Sequence, residues 1–445
     1  MQIAIKILSL IGTIITVLVA YKIVYAVLGF FVTKKYKPTE NKHNYGICIA
    51  ARNERAVIKN FLQSVASCDY PLDKLTVFVM AHNCTDDTAN IIREYAASQD
   101  KLKVVVYEYN NSDERTKGFA LKKLFEDIKD DYTIEAFDGY FIFDADNVVA
   151  KNYFTKMNEA FDEGNKIITS FRNSKNTNRN WISFGYAMHW IRTCLNENRG
   201  KSLINIACRV QGTGFLFANE LVKNGWNYTS FTEDRSFCSD AVVQNYNITY
   251  CDEAVFYDEQ PYQLKVALRQ RIRWAKGHLQ SAVENCPKLL RNMFKPKIHF
   301  LSTYDCFWLN FPRQVESIIR RIIIFILKII IVVTMPPLLV GLGLPSFLHI
   351  EQFVCTSLPD YLKAACVVYA IGLIKTWLRA FGNILLVFIR YGKKIEKCNF
   401  FKRLFNIFMF PFFDIIGKWT TYIALFAKVE WKPIPHDTVV DVNKL

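Results

Sequence analysis

Two carboxylate-bearing segments and one tryptophan–arginine run carry the chemistry that this chain can perform. Asp144-Ala145-Asp146 closes an apolar run in FIFDADN, Thr232-Glu233-Asp234 sits in FTEDRSF, and Gln270-Arg271-Ile272-Arg273-Trp274 follows. A hard divalent ion accepts one or two carboxylates plus substrate phosphates, so Asp144 and Asp146 suit Mg2+ or Mn2+ neutralising a departing nucleoside diphosphate. The same pair also reads as a helix cap or a solvated loop; its place after a buried strand favours the ion. A carboxylate beside a sugar hydroxyl is the expected general base, which suits Glu233 or Asp234. The triplet equally reads as an N-cap, Thr232, followed by two acids, and the two readings are compatible. In the third segment the Trp274 indole can stack on a sugar face while Arg271 or Arg273 grips a pyrophosphate. The plainer reading is a basic helix with one buried Trp.

Weaker signals accompany these. Gly212-Thr213-Gly214 allows close backbone approach to an acceptor, or forms a tight turn. Lys117-Gly118 opens a helical stretch and could meet a phosphate. Trp181, Tyr186 and Trp190 could line a sugar path, although such spacing more often marks core.

Alternating elements must position these groups. GICIA at 46–50, LTVFVM at 75–80, KVVVY at 103–107 and the run at 139–143 are short continuous apolar stretches, as expected of parallel strands covered on both faces. Helical patterns at 57–65, 86–97 and 117–128 separate them. The pattern predicts an α/β nucleotide-binding layout, in which ligands sit beyond the carboxyl ends of the strands. Arg52-Asn53-Glu54, His82-Asn83 and Asp144-Ala145-Asp146 all fall at such ends.

The chain has 445 residues, 51% hydrophobic with 35 Phe. Its apolar excess lies at the ends, in stretches 7–31, 322–347, 362–390 and 404–427. About 20 helical residues span a hydrocarbon core, so each is long enough. The first reads as a retained anchor rather than a signal peptide, with Lys22 as its flaw. The last, with Pro411, Asp414 and Lys418, reads as a re-entrant or interfacial segment. The net charge of +15 gathers at the flanks of these stretches (Lys34, Lys35, Arg320, Arg321, Arg390, Lys393), which places residues 33–320 in the cytoplasm. That charge reads as attraction to a lipid bilayer and to an anionic substrate; no nucleic-acid motif is present, and nucleic acid is not expected as a partner. The 12 scattered Cys carry no paired or zinc-ligand spacing and read as free thiols. The division expected is an N-terminal transmembrane anchor at 1–33, a catalytic domain at 34–290, amphipathic interface helices at 291–321, membrane or re-entrant segments at 322–430, and a tail at 431–445.

Taken in order, IAARNE (49–54), AHNCTDDT (81–88), KGFAL (117–121), DAD (144–146), QGTG (211–214), TED (232–234) and QRIRW (270–274) resemble family 2 glycosyltransferases with the GT-A, Rossmann-like fold. More narrowly the chain resembles membrane-embedded processive β-glycan synthases, such as those for hyaluronan, cellulose, chitin and poly-N-acetylglucosamine. The resemblance implies a multi-pass cell-membrane enzyme, a hexosyltransferase, that moves sugar from a UDP-sugar donor to a glycan by inverting displacement. It places the divalent metal, Mg2+ or Mn2+, at Asp146 with Asp144, and the base at Asp234 beside Glu233. Gln270, Arg273 and Trp274 would cover the diphosphate and stack the acceptor's terminal sugar. Arg52, Glu54, Lys117, Arg271 and the Gly212, Thr213, Gly214 loop complete the expected substrate contacts. His82 stands where the family usually carries an Asp against uracil. One N-terminal span and three C-terminal stretches form a lean channel, so a homodimer or an accessory export subunit is expected. The competing readings are a transferase adding one sugar to a membrane lipid, and a silent scaffold.

Overall fold

The computed structural model describes residues 1–341, 352–430 and 433–442. Helices α1 (Gln2–Leu18) and α2 (Lys22–Phe31) lead into the sheet-forming region. There β1 (Tyr45–Ala51), α3 (Ile58–Ala66), β2 (Leu75–His82), α4 (Thr88–Ala97), β3 (Lys103–Tyr109), α5 (Lys117–Tyr132) and β4 (Gly139–Asp144) alternate as expected. β5 (Val148–Val149), α6 (Tyr153–Asp162), β6 (Ile167–Ser174), α7 (Trp181–Thr193), α8 (Arg199–Leu203), β7 (Phe215–Ala218), α9 (Glu233–Val243) and β8 (Ile248–Asp258) complete the sheet region. The helices α10 (Leu264–Asn292), α11 (Phe300–Asn310) and α12 (Arg313–Thr334), the strand pair β9 (Leu338–Gly341) and β10 (Gln352–Cys355), and the helices α13 (Leu358–Tyr391) and α14 (Phe400–Phe426) follow.

The eight strands run in the order β3-β2-β1-β4-β7-β6-β8-β5. The predicted strands β1 to β4 are parallel, and the register pairs Ala50 with Met80 on one side and with Asp144 on the other. Side chains alternate across the pleat, so each strand feeds two cores. Ile47, Ile49, Val77 and Val79 join α3 and α6 residues such as Phe61 and Phe154, while Cys48, Phe78 and Met80 join α5 and α7 residues such as Leu121 and Tyr186. Burial on both faces explains the unbroken apolar runs. β7 is antiparallel to β4 and β6, which the sequence pattern did not announce. The reversal makes the sheet mixed and brings the Gly212–Gly214 loop back over the end of β4.

The N-terminal helices dock on this body. Lys22, which breaks the first apolar stretch, has its ammonium 3.6 Å from the buried Asp305 of α11, and Lys201 of α8 meets the same carboxylate at 2.6 Å. A charge inside an apolar helix is tolerated when it is paired, and Asp305 supplies the pair.

Two helical stretches among the described residues, Gln2–Phe31 and Leu358–Tyr391, are long and apolar enough to cross a membrane. The sequence reading expects four apolar stretches of spanning length, and the difference has a physical cause. α12 carries Arg320, Arg321 and Lys328 along its length, and α14 carries Lys402, Arg403, Asp414 and Lys418. Residues 342–347 of the second expected stretch lie outside the described residues. α14 instead presents an exposed apolar face, with Phe401, Phe405, Phe408 and Phe412 outward, while Phe410 and Phe413 pack against the catalytic body.

Candidate active site

The carboxyl ends of β1, β2, β4 and β8 open onto one cavity of about 520 Å3. Arg52, Glu54, His82, Lys117, Asp144, Asp146, Gly212, Glu233, Asp234, Gln270, Arg271, Arg273 and Trp274 all line it. The chain reversals that shape its mouth rely on Asn53 and Asn83, both in the left-handed region at φ 59° and 51°. Asparagine tolerates that conformation, and each side chain ties a neighbouring loop: Asn53 Oδ1 accepts from the Thr85 N–H at 2.8 Å, and Asn83 Oδ1 from the Asn111 N–H at 2.8 Å.

The acid pair is held by a knot of hydrogen bonds. The Asp144 N–H donates to Thr213 Oγ1 at 2.9 Å, Thr213 bonds Asn147 Oδ1, and Asn147 Nδ2 donates to Asp146 Oδ1 at 3.2 Å. The Gly-Thr-Gly loop therefore holds the acid pair in place. Gly212 and Gly214 sit at φ 80° and 65°, and a side chain at Gly214 would run into the Phe256 ring. A Cβ at Gly212 would lie 3.9 Å from Asp234 Oδ2, so the same loop abuts Asp234. Sequence reasoning passed over Asn147, although its place directly after Asp-Ala-Asp was a usable signal.

Lys117 makes an ion pair with Asp144 and donates to Gly212 O at 2.8 Å. Burial would lower its pKa, but Asp144 and Glu233 outweigh burial and hold it above the usual value. Lys117 thus bridges the two acid segments, a role beyond the phosphate contact expected. Burial, reinforced by Asp234 and opposed by Lys117, pushes the Glu233 carboxyl up to about 7. Thr232 occupies the N-cap position of α9, yet its Oγ1 is buried without a hydrogen bond, so the capping bond expected there is absent among the described residues. His82 is buried, its ring stacked on Tyr109 at 5.6 Å, and burial lowers its pKa, so it offers a neutral imidazole edge to the cavity.

The two arginines of QRIRW part company. Arg273 is half-buried and lies within the field of the carboxylates of Glu233, Asp144 and Asp234. Arg271 faces α14: it donates to Phe413 O at 2.8 Å and its guanidinium lies 3.6 Å from the Phe413 ring centroid. The two arginines, both expected as a pyrophosphate grip, face different stretches of the cavity, because residues two apart on a helix point about 200° apart. Trp274 meets Trp190 and Tyr186 edge-on at 5.6 and 5.9 Å. The aromatic patch is therefore core and cavity wall at once, while Trp181 packs against the core outside it.

One wall comes from a segment that sequence reasoning left as a plain tail. Residues 433–442 cross the catalytic body. The Asp437 and Thr438 N–H groups donate to Glu259 at 3.1 and 2.9 Å, Lys175 donates to Thr438 O at 2.6 Å, and Asn60 exchanges two bonds with Val440. These bonds deliver His436 into the cavity, with Nδ1 2.9 Å from Glu54 Oε2 and Nε2 4.0 Å from Asp146 Oδ2. Glu54 and Asp146 outweigh burial and raise the His436 pKa to about 10. A lone histidine in WKPIPH carried no periodicity or spacing that could tie it to residues 382 positions earlier.

Among the described residues, no three of His, Cys, Asp and Glu converge as a ready-made metal cage. Mg2+ and Mn2+ do not need one, since they take one or two carboxylates and complete their shell with phosphates and water. Asp146 fits that donor set: it accepts the Glu259 N–H at 2.9 Å, and His436 and Lys175, outweighing burial, keep its pKa below the usual value. Asp144 stands beside it.

Comparison with known proteins follows the same geometry. The family model described as glycosyltransferase like family 2 matches residues 43–277. A probable glycosyltransferase, YdaM, of Bacillus subtilis is 24% identical over 59% of this chain and 62% of its own length. A beta-monoglucosyldiacylglycerol synthase of a Nostoc species is 25% identical, covering 55% of this chain and 51% of its own. A poly-beta-1,6-N-acetyl-D-glucosamine synthase of Staphylococcus epidermidis is 26% identical, covering 58% and 62%. The chain thus spans less than two thirds of these relatives. A solved mannosyltransferase of Pyrobaculum calidifontis, PcManGT, in complex with GDP-Man and Mn2+, superposes with a TM-score of 0.55 at 15% identity, over 91% of this chain and 97% of its own. That likeness extends to the fold.

Proposed function

We propose that this chain, which belongs to the glycosyltransferase family 2 and has its GT-A fold, transfers a hexose from a nucleoside-diphosphate sugar to a glycan hydroxyl at a membrane. The observation that carries the reading is one cavity holding an acid pair at a strand end, a second carboxylate pair across Lys117, and a half-buried Trp-Arg wall. A divalent ion, Mg2+ or Mn2+, at Asp146 and Asp144 would neutralise charge on the leaving diphosphate. Asp234 takes the proton of the acceptor hydroxyl as that oxygen attacks the anomeric carbon, and the bond from that carbon to the diphosphate oxygen breaks with its electron pair leaving on the nucleotide. A single displacement of this kind inverts an α-linked donor to a β-linkage. Arg273 faces the diphosphate, Trp274 with Trp190 and Tyr186 stacks the acceptor sugar, and His82 meets the base of a UDP donor through its neutral ring.

The product we favour is a growing β-linked polysaccharide, passed outward as it forms. The aromatic wall leading away from Asp234 supports this, as does likeness to a poly-beta-1,6-N-acetyl-D-glucosamine synthase. A second reading, one sugar added to a membrane lipid, draws support from α14, which walls the cavity with Gly417 and Thr420 while its far side is apolar and exposed. We assign residues 1–33 to an anchor, 34–290 to the transferase, 291–321 to interface helices, 322–430 to membrane-associated segments and 431–445 to the tail. The transferase would face the cytoplasm, with a second copy or an export subunit widening the lean channel.

Product sizing tests the proposal. The full chain in lipid nanodiscs receives Mn2+ and a panel of labelled nucleotide sugars, with Asp234→Asn as the blank. A high-molecular-weight product absent from the blank supports the polymer. A single lipid-soluble product selects the second reading, and no product from any donor sinks both.

A further inference from the structure

The cavity continues past Trp274 toward α14, and its charge changes character there. Arg192, Arg209, Arg235, Arg271 and Lys418 line this stretch against one acid, Asp414. The half we assign to the donor already has its own cations in Lys117 and Arg273, so these five are surplus to the leaving diphosphate.

Their bonding absorbs the surplus only in part. Arg192 is paired with Asp414 at 3.1 Å, and Arg235 reaches only a backbone carbonyl, Leu309 O, at 3.0 Å. Among the described residues, the side chains of Arg209 and Lys418 have no ion pair and no hydrogen bond. Glu197 behind Arg209 lies 3.8 Å from Lys201, and against burial Lys201, ahead of Arg209, holds its pKa down, so this carboxylate is shared between the two cations. Burial and the neighbouring Arg209 lower the Arg235 pKa to about 10, and the charge of Arg235, ahead of burial, drives His278 down to about 3. Both are signs of like charges crowded together, which the neighbouring Asp234 offsets only in part for Arg235. Planar guanidiniums arranged around one space suit the tetrahedral oxygens of phosphate, to which they donate in pairs. One wall of this stretch is α14, which contributes Lys418 and Asp414 and whose outer face carries exposed Phe405, Phe408 and Phe412.

We infer that the acceptor carries a phosphoryl group, seated among Arg192, Arg209, Arg235 and Lys418 on the α14 side of Asp234. This deepens the transfer reading above and rests on it. The phosphoryl group has two possible sources: the head of a membrane-borne lipid diphosphate on which the glycan starts, or a phosphate within the acceptor chain. The apolar outer face of α14 favours the first.

The test uses the full chain in uncharged phosphatidylcholine nanodiscs with Mn2+ and the donor found by the panel. Three acceptors are compared: a neutral β-linked oligosaccharide, the same oligosaccharide on polyprenyl diphosphate, and the same oligosaccharide as a soluble 1-phosphate. The inference expects the phosphorylated acceptors to show a KM roughly tenfold or more below the neutral one, the scale of one lost charged hydrogen bond. Arg209→Gln and Lys418→Gln should each erase most of that advantage while the Kd for UDP stays unchanged, and Arg209→Lys should restore part of it. Preference for the lipid form supports the lipid source, and parity with the soluble 1-phosphate supports phosphate in the chain. Equal KM for neutral and phosphorylated acceptors overturns the inference, as does an Arg209→Gln protein that binds UDP normally with its acceptor KM unmoved. Acceptor-independent release of UDP separates the levels: release without acceptor discrimination sinks this inference alone, whereas absence of both release and nucleotide binding sinks the transfer reading too.

Discussion

The two halves of the cavity are built by opposite means. On the donor side, functional groups sit on strand ends and the turns after them, and their positions are fixed by backbone bonds such as the Asp144 N–H to Thr213 and the Glu259 N–H to Asp146. On the α14 side they are long arginine and lysine side chains projected from helices α7, α9, α10 and α14 and, for Arg209, from the segment between α8 and β7. The first half is rich in acid and rigid; the second is rich in cation, and side chains rather than backbone define it. A rigid acid site suits one small, invariant partner, a metal–diphosphate, while adaptable cations suit an acceptor that must slide or turn as it is extended.

Asp234 stands at the border, so its removal is the severest test of this division. Asp234→Asn should lower kcat by about 10²–10⁴-fold, the usual worth of a general base, with UDP affinity retained in titration calorimetry. A loss of less than about tenfold would mean that the border lies elsewhere. The next effect belongs to the tail. His436→Ala leaves Glu54 buried without its partner, so nucleotide affinity should fall roughly tenfold to a hundredfold while the acceptor KM holds. An acceptor defect without a donor defect would assign the tail to the other half.

The difference between the halves also explains what could be read from the chain. β1, β2 and β4 declared themselves because parallel strands buried on both faces are continuously apolar, and the groups that follow them, Arg52, His82 and Asp144, landed in the cavity together. Glu233, Asp234 and Trp274 joined them. The α14 wall and the His436 strap stayed hidden because their contacts join residues hundreds of positions apart and leave no local period. Arg271 and Arg273 look equivalent in the motif, yet two residues apart on a helix they face different stretches of the one cavity. The apolar ends were readable as membrane-seeking, but the charges inside α12 and α14 separate an apolar stretch from a clear span.

A third measurement probes the acid side by titration. The folded pKa of Glu233, about 7, lies above the unfolded value near 4.3. Its contribution to stability is therefore fully present below about pH 4 and is lost as pH rises through 7. Glu233→Gln should melt above the wild type at pH 8 and alike at acid pH. In activity, kcat/KM should rise about fivefold from pH 6 to pH 7 in the wild type and lose that inflection in Glu233→Gln. An unmoved inflection would place the titrating group outside this pair.

The smallest effect addresses the cationic side alone. Asp414 is the single acid among its five cations, and it holds Arg192 through both carboxylate oxygens, at 3.1 and 3.4 Å. Asp414→Asn keeps one oxygen as acceptor and removes one negative charge. If Asp414 only dilutes the positive field, the KM for a phosphorylated acceptor should fall about two- to fivefold at low ionic strength, and the gain should vanish near 1 M salt, where screening reaches about 3 Å. A neutral acceptor and the nucleotide should not respond, since neither carries charge into this stretch. A rise in KM instead would show that Asp414 aims Arg192 at the acceptor, making one cation of this half as fixed as the acids across the cavity.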